Sequence, residues 1–150
     1  MTKIKTPAEI AAMRESGRML ATVLEVVQKA IKPGITTKEL DSIAANEVKR
    51  LGGKPAFLGY YGFPGVICIS LNDEVVHGIP GPQVVKNGDV VSFDFGVNYG
   101  GMITDAARTV LVGPHNKAKQ QLIDGTLQAL DTGIEVVKDG VVVGDISAAV

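Results

Sequence analysis

One cysteine, Cys68, is all that 150 residues contain, so an internal disulfide framework is excluded. Histidine is scarce as well, with only His77 and His115. No apolar run approaches the roughly 18 to 20 residues that a bilayer-spanning helix needs. The opening residues, Met1-Thr2-Lys3-Ile4-Lys5, are polar and lead straight into a helical pattern, unlike a secretory leader. No excess of one charge exists either. Fifteen basic residues face 16 acidic ones for a net charge of -1, with no like-charge run or basic stripe. That gives nucleic-acid binding no support. Together these absences favour a cytoplasmic protein with no membrane and no direct nucleic-acid partner.

Apolar residues make up 45% of the chain and charged residues 21%, the balance of an ordinary soluble domain. The length suits one domain or a piece of a larger one. Thr6-Pro7-Ala8-Glu9 supplies an N-cap, a proline at the first helical position and a capping-box glutamate. Ile10, Met13, Leu20, Leu24, Val27 and Ile31 follow close to a 3.6 period, and Lys32-Pro33-Gly34 ends the helix. Thr36-Thr37-Lys38-Glu39 opens a second helix that Gly52-Gly53 closes. Residues 54–65 read as an aromatic, glycine-rich loop, and Val66 to Ser70 as a short buried strand. Val75-Val76-His77 reads as a second short strand. A hairpin over 89–112 and a helix over 115–137 complete the pattern. Ile31-Lys32-Pro33-Gly34-Ile35 and the Leu40 segment are echoed by Val137-Lys138-Asp139-Gly140-Val141 and the Ile146 segment, at an offset of 106 residues. The echo suggests a duplicated helix-helix-strands unit whose second copy stops inside its second helix.

The hairpin carries two aspartates, Asp94 and Asp105, eleven residues apart. With Tyr99-Gly100 as its two-residue loop, Asp94 lies directly opposite Asp105, where like charges repel. Such a pair protonates one carboxyl, leaves both in water, or binds a cation between them. Alternation places Val91, Phe93, Phe95 and Val97 on one face and Asp94 on the other, less apolar one, which two solvated aspartates would also satisfy. Two carboxylates alone offer oxygen ligands that suit magnesium, calcium or manganese. A hydrolytic transition-metal pair needs further ligands, usually including histidine. Asp94-Phe95-Gly96 also spells a kinase-like triplet, but no phosphate loop, strand lysine or catalytic-loop motif accompanies it.

His77 precedes a Gly/Pro-rich loop, where a lone histidine is more often structural than catalytic. His115, after Gly113-Pro114, reads as a surface residue. Cys68 sits among apolar neighbours and behaves as a small apolar side chain. Phe57, Tyr60, Tyr61 and Phe63 on the glycine-rich loop either fill a core or form an apolar side-chain pocket.

Phe57-Leu58-Gly59-Tyr60-Tyr61-Gly62-Phe63-Pro64, then Cys68 through His77-Gly78-Ile79-Pro80, then the spaced Asp94 and Asp105 with Ala106-Ala107-Arg108-Thr109 together resemble the bacterial type I methionine aminopeptidases. The resemblance runs along the whole chain but only about the first three-fifths of a family member. It implies the α/β (α+β) pita-bread fold of two pseudo-symmetric halves, with the N-terminal half complete and the second truncated. Residues 1–150 would then be a single catalytic domain's N-terminal portion. It also implies removal of the initiator methionine from nascent chains by hydroxide attack on the first peptide bond. Asp94 and Asp105 would ligate two divalent metal ions (cobalt, manganese, iron or zinc). His77 would help position the substrate and stabilise the transition state. Phe57, Tyr60, Phe63 and Cys68 would line the methionine pocket.

The family's remaining ligands, one histidine and two glutamates, find no counterpart in this sequence, so the 150-residue form is expected to bind metal weakly and to be inactive. The family often places His-Gly before the second aspartate, where this chain has Ile103-Thr104. Two rivals remain. One is a proline-specific peptidase of the same fold, which the 57–63 loop disfavours. The other is a non-catalytic interaction module that self-associates through the apolar seam a half-fold exposes.

Overall fold

The computed structural model describes residues 4–114 and 116–150, so the reading of His115 falls outside it. The chain divides into two compact units, one up to Pro114 and one after it.

The first unit begins with two capped helices. In α1 (Pro7–Ala30) the Thr6 hydroxyl accepts from the Glu9 amide (3.3 Å), and the Glu9 carboxylate accepts from the Thr6 amide (2.8 Å). In α2 (Thr37–Arg50) Thr36 and Glu39 repeat the exchange at 3.1 and 2.7 Å. Each box satisfies amides that the first helical turn leaves without partners. Met19, Leu20, Val23, Leu24 and Val27 of α1 and Leu40, Ala44 and Val48 of α2 are buried. They pack with one face of a four-stranded antiparallel sheet. That face carries Ile67, Ile69 and Leu71 of β2 (Ile67–Leu71) and Val91, Phe93, Phe95 and Val97 of β3 (Val90–Tyr99). Burying each large apolar side chain is worth about 1.5–3 kcal/mol, so this layer dominates the unit's stability.

Strand β3 is the axis of the sheet. One edge pairs with β4 (Met102–Leu111) as a hairpin. The other edge is shared end to end. The two-residue β1 (Lys54–Pro55) pairs at Asn98 and Val97, and β2 pairs from Phe95 to Val91. Residues 56–66 therefore leave the sheet between two anchors on the same neighbour. They include a single 3-10 turn at Tyr60–Gly62.

Three expectations are corrected. The hairpin loop is Gly100-Gly101, not Tyr99-Gly100, because Tyr99 pairs with Met102. Both loop glycines have positive φ (58° and 79°), as the favoured two-residue hairpin turn requires, and a tyrosine there would be penalised. Asp94 consequently pairs with Ala107, and Asp105 pairs with Gly96, so the aspartates are not directly opposed. Thirdly, Val75-Val76-His77 forms no strand. His77 has φ 60°, incompatible with extended backbone, and Val75 and Val76 are exposed.

The second unit holds α3 (Lys117–Glu135), capped by Asn116, and the short α4 (Val143–Ala149). Leu122, Leu127, Leu130 and Ile134 of α3 are exposed. The internal echo extends into geometry. Gly34 and Gly140 both have positive φ (96° and 83°). At the same offset of 106 residues, the Asp145 carboxylate accepts from the Val142 amide (3.0 Å) where Glu39 accepts from Thr36.

Candidate metal and substrate site

The face of β3 turned away from the helices carries Asp94. Although Asp105 is displaced by one pair from it, the displacement is along the same face, since residues two apart on a strand point the same way. Diagonal neighbours of this kind remain within side-chain reach. Asp94 is half-buried, and its Oδ1 is shut off from solvent with no hydrogen-bond partner. Burial lifts its pKa to about 7, and the neighbouring Asp105 carboxyl adds to the shift by hydrogen bonding to the protonated form and by charge repulsion. An inward carboxylate oxygen without a donor is the arrangement a cation completes. Asp94 and Asp105 could thus hold a divalent ion. Among the described residues no third histidine, cysteine, aspartate or glutamate joins them in a metal-binding cluster.

Above the pair lies a cavity of about 740 Å³. Phe57, Tyr60, Phe63, Cys68 and His77 line it together with Asp94 and Asp105, so every candidate drawn from the sequence reaches one place. The loop 56–66 brings the aromatics there because one end is pinned on β3 and the other on α2. The first amide after β1, Ala56 N, donates to the Gly96 carbonyl (2.9 Å). At the far end, Val66 N donates to the buried carboxylate of Asp41 (2.7 Å), which Lys38 neutralises at 3.1 Å. Cys68 is the register partner of Asp94. Burial first, and then the charges of Asp94 and Asp105, push its thiol up to about 11. It is thus a neutral, apolar wall rather than a nucleophile.

His77 reaches the cavity from irregular backbone. The next residue, Gly78, lies flat against β2. Its amide donates to Ser70 Oγ (3.1 Å), and its carbonyl accepts from Ile69 N (2.9 Å). A Cβ on Gly78 would collide with the Ile69 carbonyl. The close approach turns the preceding residue into the left-handed region and exposes the imidazole. Tyr61, at φ 45°, is a second non-glycine residue in that region and also lines the cavity. Sequence reasoning missed Ile79 and Ile103 as lining residues. Ile103 was within reach, because it lies two positions before Asp105 on the same strand face.

The description "Metallopeptidase family M24" matches residues 11–150. The chain is 45% identical over 146 residues to "Methionine aminopeptidase 1" of Bacillus subtilis, covering 97% of this chain and 59% of that one. It is 44% identical over 149 residues to the "Methionine aminopeptidase" of Aquifex aeolicus, covering 95% and 58%. The chain spans about three-fifths of the length of these curated relatives. A crystal structure of methionine aminopeptidase from Thermotoga maritima superimposes with TM-score 0.96 at 40% identity, over 99% of this chain and 60% of that one. A prolidase from Pyrococcus furiosus, 22% identical, shares the fold with TM-score 0.87 over 97% and 42%.

Proposed function

The chain belongs to metallopeptidase family M24, and from that premise we propose that it is the N-terminal portion of an aminopeptidase domain that removes the initiator methionine from nascent proteins. The observation that carries the reading is the buried, unpartnered Oδ1 of Asp94 beside Asp105, at the base of an apolar cavity. In this proposal Asp94 and Asp105 hold two divalent ions, of cobalt, manganese, iron or zinc. Such ions supply Lewis acidity toward the first peptide carbonyl and lower the pKa of water.

The chain's own groups bind and orient the substrate. Phe57, Tyr60 and Phe63 enclose the methionine side chain, and the protonated Cys68 thiol offers its thioether a soft, uncharged contact. His77, exposed at the cavity, reaches the peptide bond next to that side chain, where it donates to the carbonyl oxygen as charge develops. Substrates are N-terminal methionine peptides of nascent chains, which places the protein in the cytoplasm. With only two carboxylates gathered among the described residues, the 150-residue form binds ions weakly and is inactive alone. The aromatic loop favours methionine over a proline-specific reading.

The test joins this chain to the C-terminal two-fifths of the Bacillus subtilis relative and assays Met-Ala and Ala-Pro substrates with added metal. Met-Ala cleavage is expected, and Asp94→Asn or Asp105→Asn should abolish it. Cleavage of Ala-Pro instead would overturn the substrate assignment. Full activity and normal metal content in either aspartate variant would overturn the ligand roles.

A further inference from the structure

Gly96 stands on the cavity-side face of β3, two residues from Asp94 and paired with Asp105. It is nonetheless buried. Its φ lies outside the left-handed region, so its backbone would accept an L side chain. Glycine inside a strand weakens it and commonly marks close approach by another group. Here that group is the Phe57 ring. A Cβ built on Gly96 would stand 2.8 Å from Phe57 Cε1, 3.3 Å from Phe57 Cδ1 and 2.9 Å from Ala56 Cβ. The backbone around the ring is anchored on both sides. Ala56 N is bonded to Gly96 O (2.9 Å), and Phe57 O accepts from Tyr60 N (2.9 Å).

We propose that Gly96 sets the length selectivity of the cavity. Its missing Cβ lets the Phe57 ring lie against β3, and that seat leaves room for an unbranched apolar side chain of methionine or norleucine length. The inference rests on the reading of this cavity as the methionine side-chain site. Gly96 acts through Phe57 and is a positioning residue. With a methyl group at position 96 two contacts must give: the Ala56 Cβ moves only by a small shift of its own backbone, whereas the half-exposed Phe57 ring relieves its larger share by swinging. It swings off the strand into the cavity it lines, which shortens the space.

The test uses the 150-residue chain as wild type, Gly96→Ala, Phe57→Ala and the double variant, with two readouts. Urea unfolding of the four proteins forms a double-mutant cycle. Gly96→Ala is expected to cost more stability when Phe57 is present than when it is absent, the cost left in its absence being the Ala56 contact. NMR titration of the cavity residues with L-norvalinamide, L-norleucinamide and L-methioninamide reads selectivity. Wild type should favour the longer two over norvalinamide by roughly fourfold, the worth of one buried methylene. Gly96→Ala should erase or reverse that ranking, and the double variant should restore it. An additive cycle with the ranking unchanged in Gly96→Ala would overturn the role of Gly96 and leave the side-chain site standing. A wild-type chain that binds none of the amides would overturn both.

Discussion

A carboxyl group that is half-buried, denied a donor on one oxygen and set beside another acid is a burden to a metal-free chain at neutral pH. Asp94 is in that position. Its folded-state pKa, about 7, lies above the usual carboxyl range, so folding takes up a proton. The favourable contribution is complete below the unfolded pKa, and it disappears as pH rises through about 7. Thermal melts without metal should therefore show Tm falling by a few degrees between pH 5 and pH 8. Asp94→Asn should flatten that slope and raise Tm at pH 8, while calorimetric titration shows loss of divalent-ion binding. A parallel slope in the variant would mean that another group titrates. At the opposite face of the same strand, Phe93 is fully buried, and Phe93→Ala should cost about 3–5 kcal/mol in urea unfolding, a cavity cost unrelated to the site.

Among the elements, those written in local chemistry were legible from sequence. Thr6-Glu9 and Thr36-Glu39 announce helix starts because both partners of each box lie within one turn. The hairpin was legible, but its loop was misplaced by one residue. Moving the loop from Tyr99-Gly100 to Gly100-Gly101 changes every partner by two positions, and two positions preserve the face. Asp105 thus faces Gly96 rather than Asp94 in register, yet the two aspartates stay on the same side of the hairpin. Strand β1 was not legible, since two residues such as Lys54-Pro55 pair only because β3 offers an open edge. The strand expected at Val75-Val76-His77 failed for a complementary reason. Two β-branched residues suggest extension, but the approach of Gly78 to the β2 backbone overrides propensity. Gly78→Ala should consequently destabilise the chain by about 1–3 kcal/mol. In the chimeric enzyme it should lower Met-Ala turnover more than a core variant of equal stability does. Equal losses would argue that Gly78 does not position His77.

At the level of the whole molecule, the second unit presents apolar surface to solvent. Its α3 exposes Leu122, Leu127, Leu130 and Ile134, a concentration of apolar surface unusual for a stable monomer. Sedimentation of the 150-residue chain should show concentration-dependent self-association, and Leu127→Glu with Leu130→Lys should suppress it without lowering helix content. A monomer at all concentrations would remove this expectation. No helix among the described residues is long and apolar enough to cross a membrane. The arrangement of β1 and β2 on one edge of β3 has a separate evolutionary consequence. Everything from Ala56 to Val66 is an excursion that begins and ends on the same strand, so it behaves as a replaceable cassette. Grafting in a loop of different length or composition could retune what is recognised while the acidic pair and the layer beneath it remain untouched.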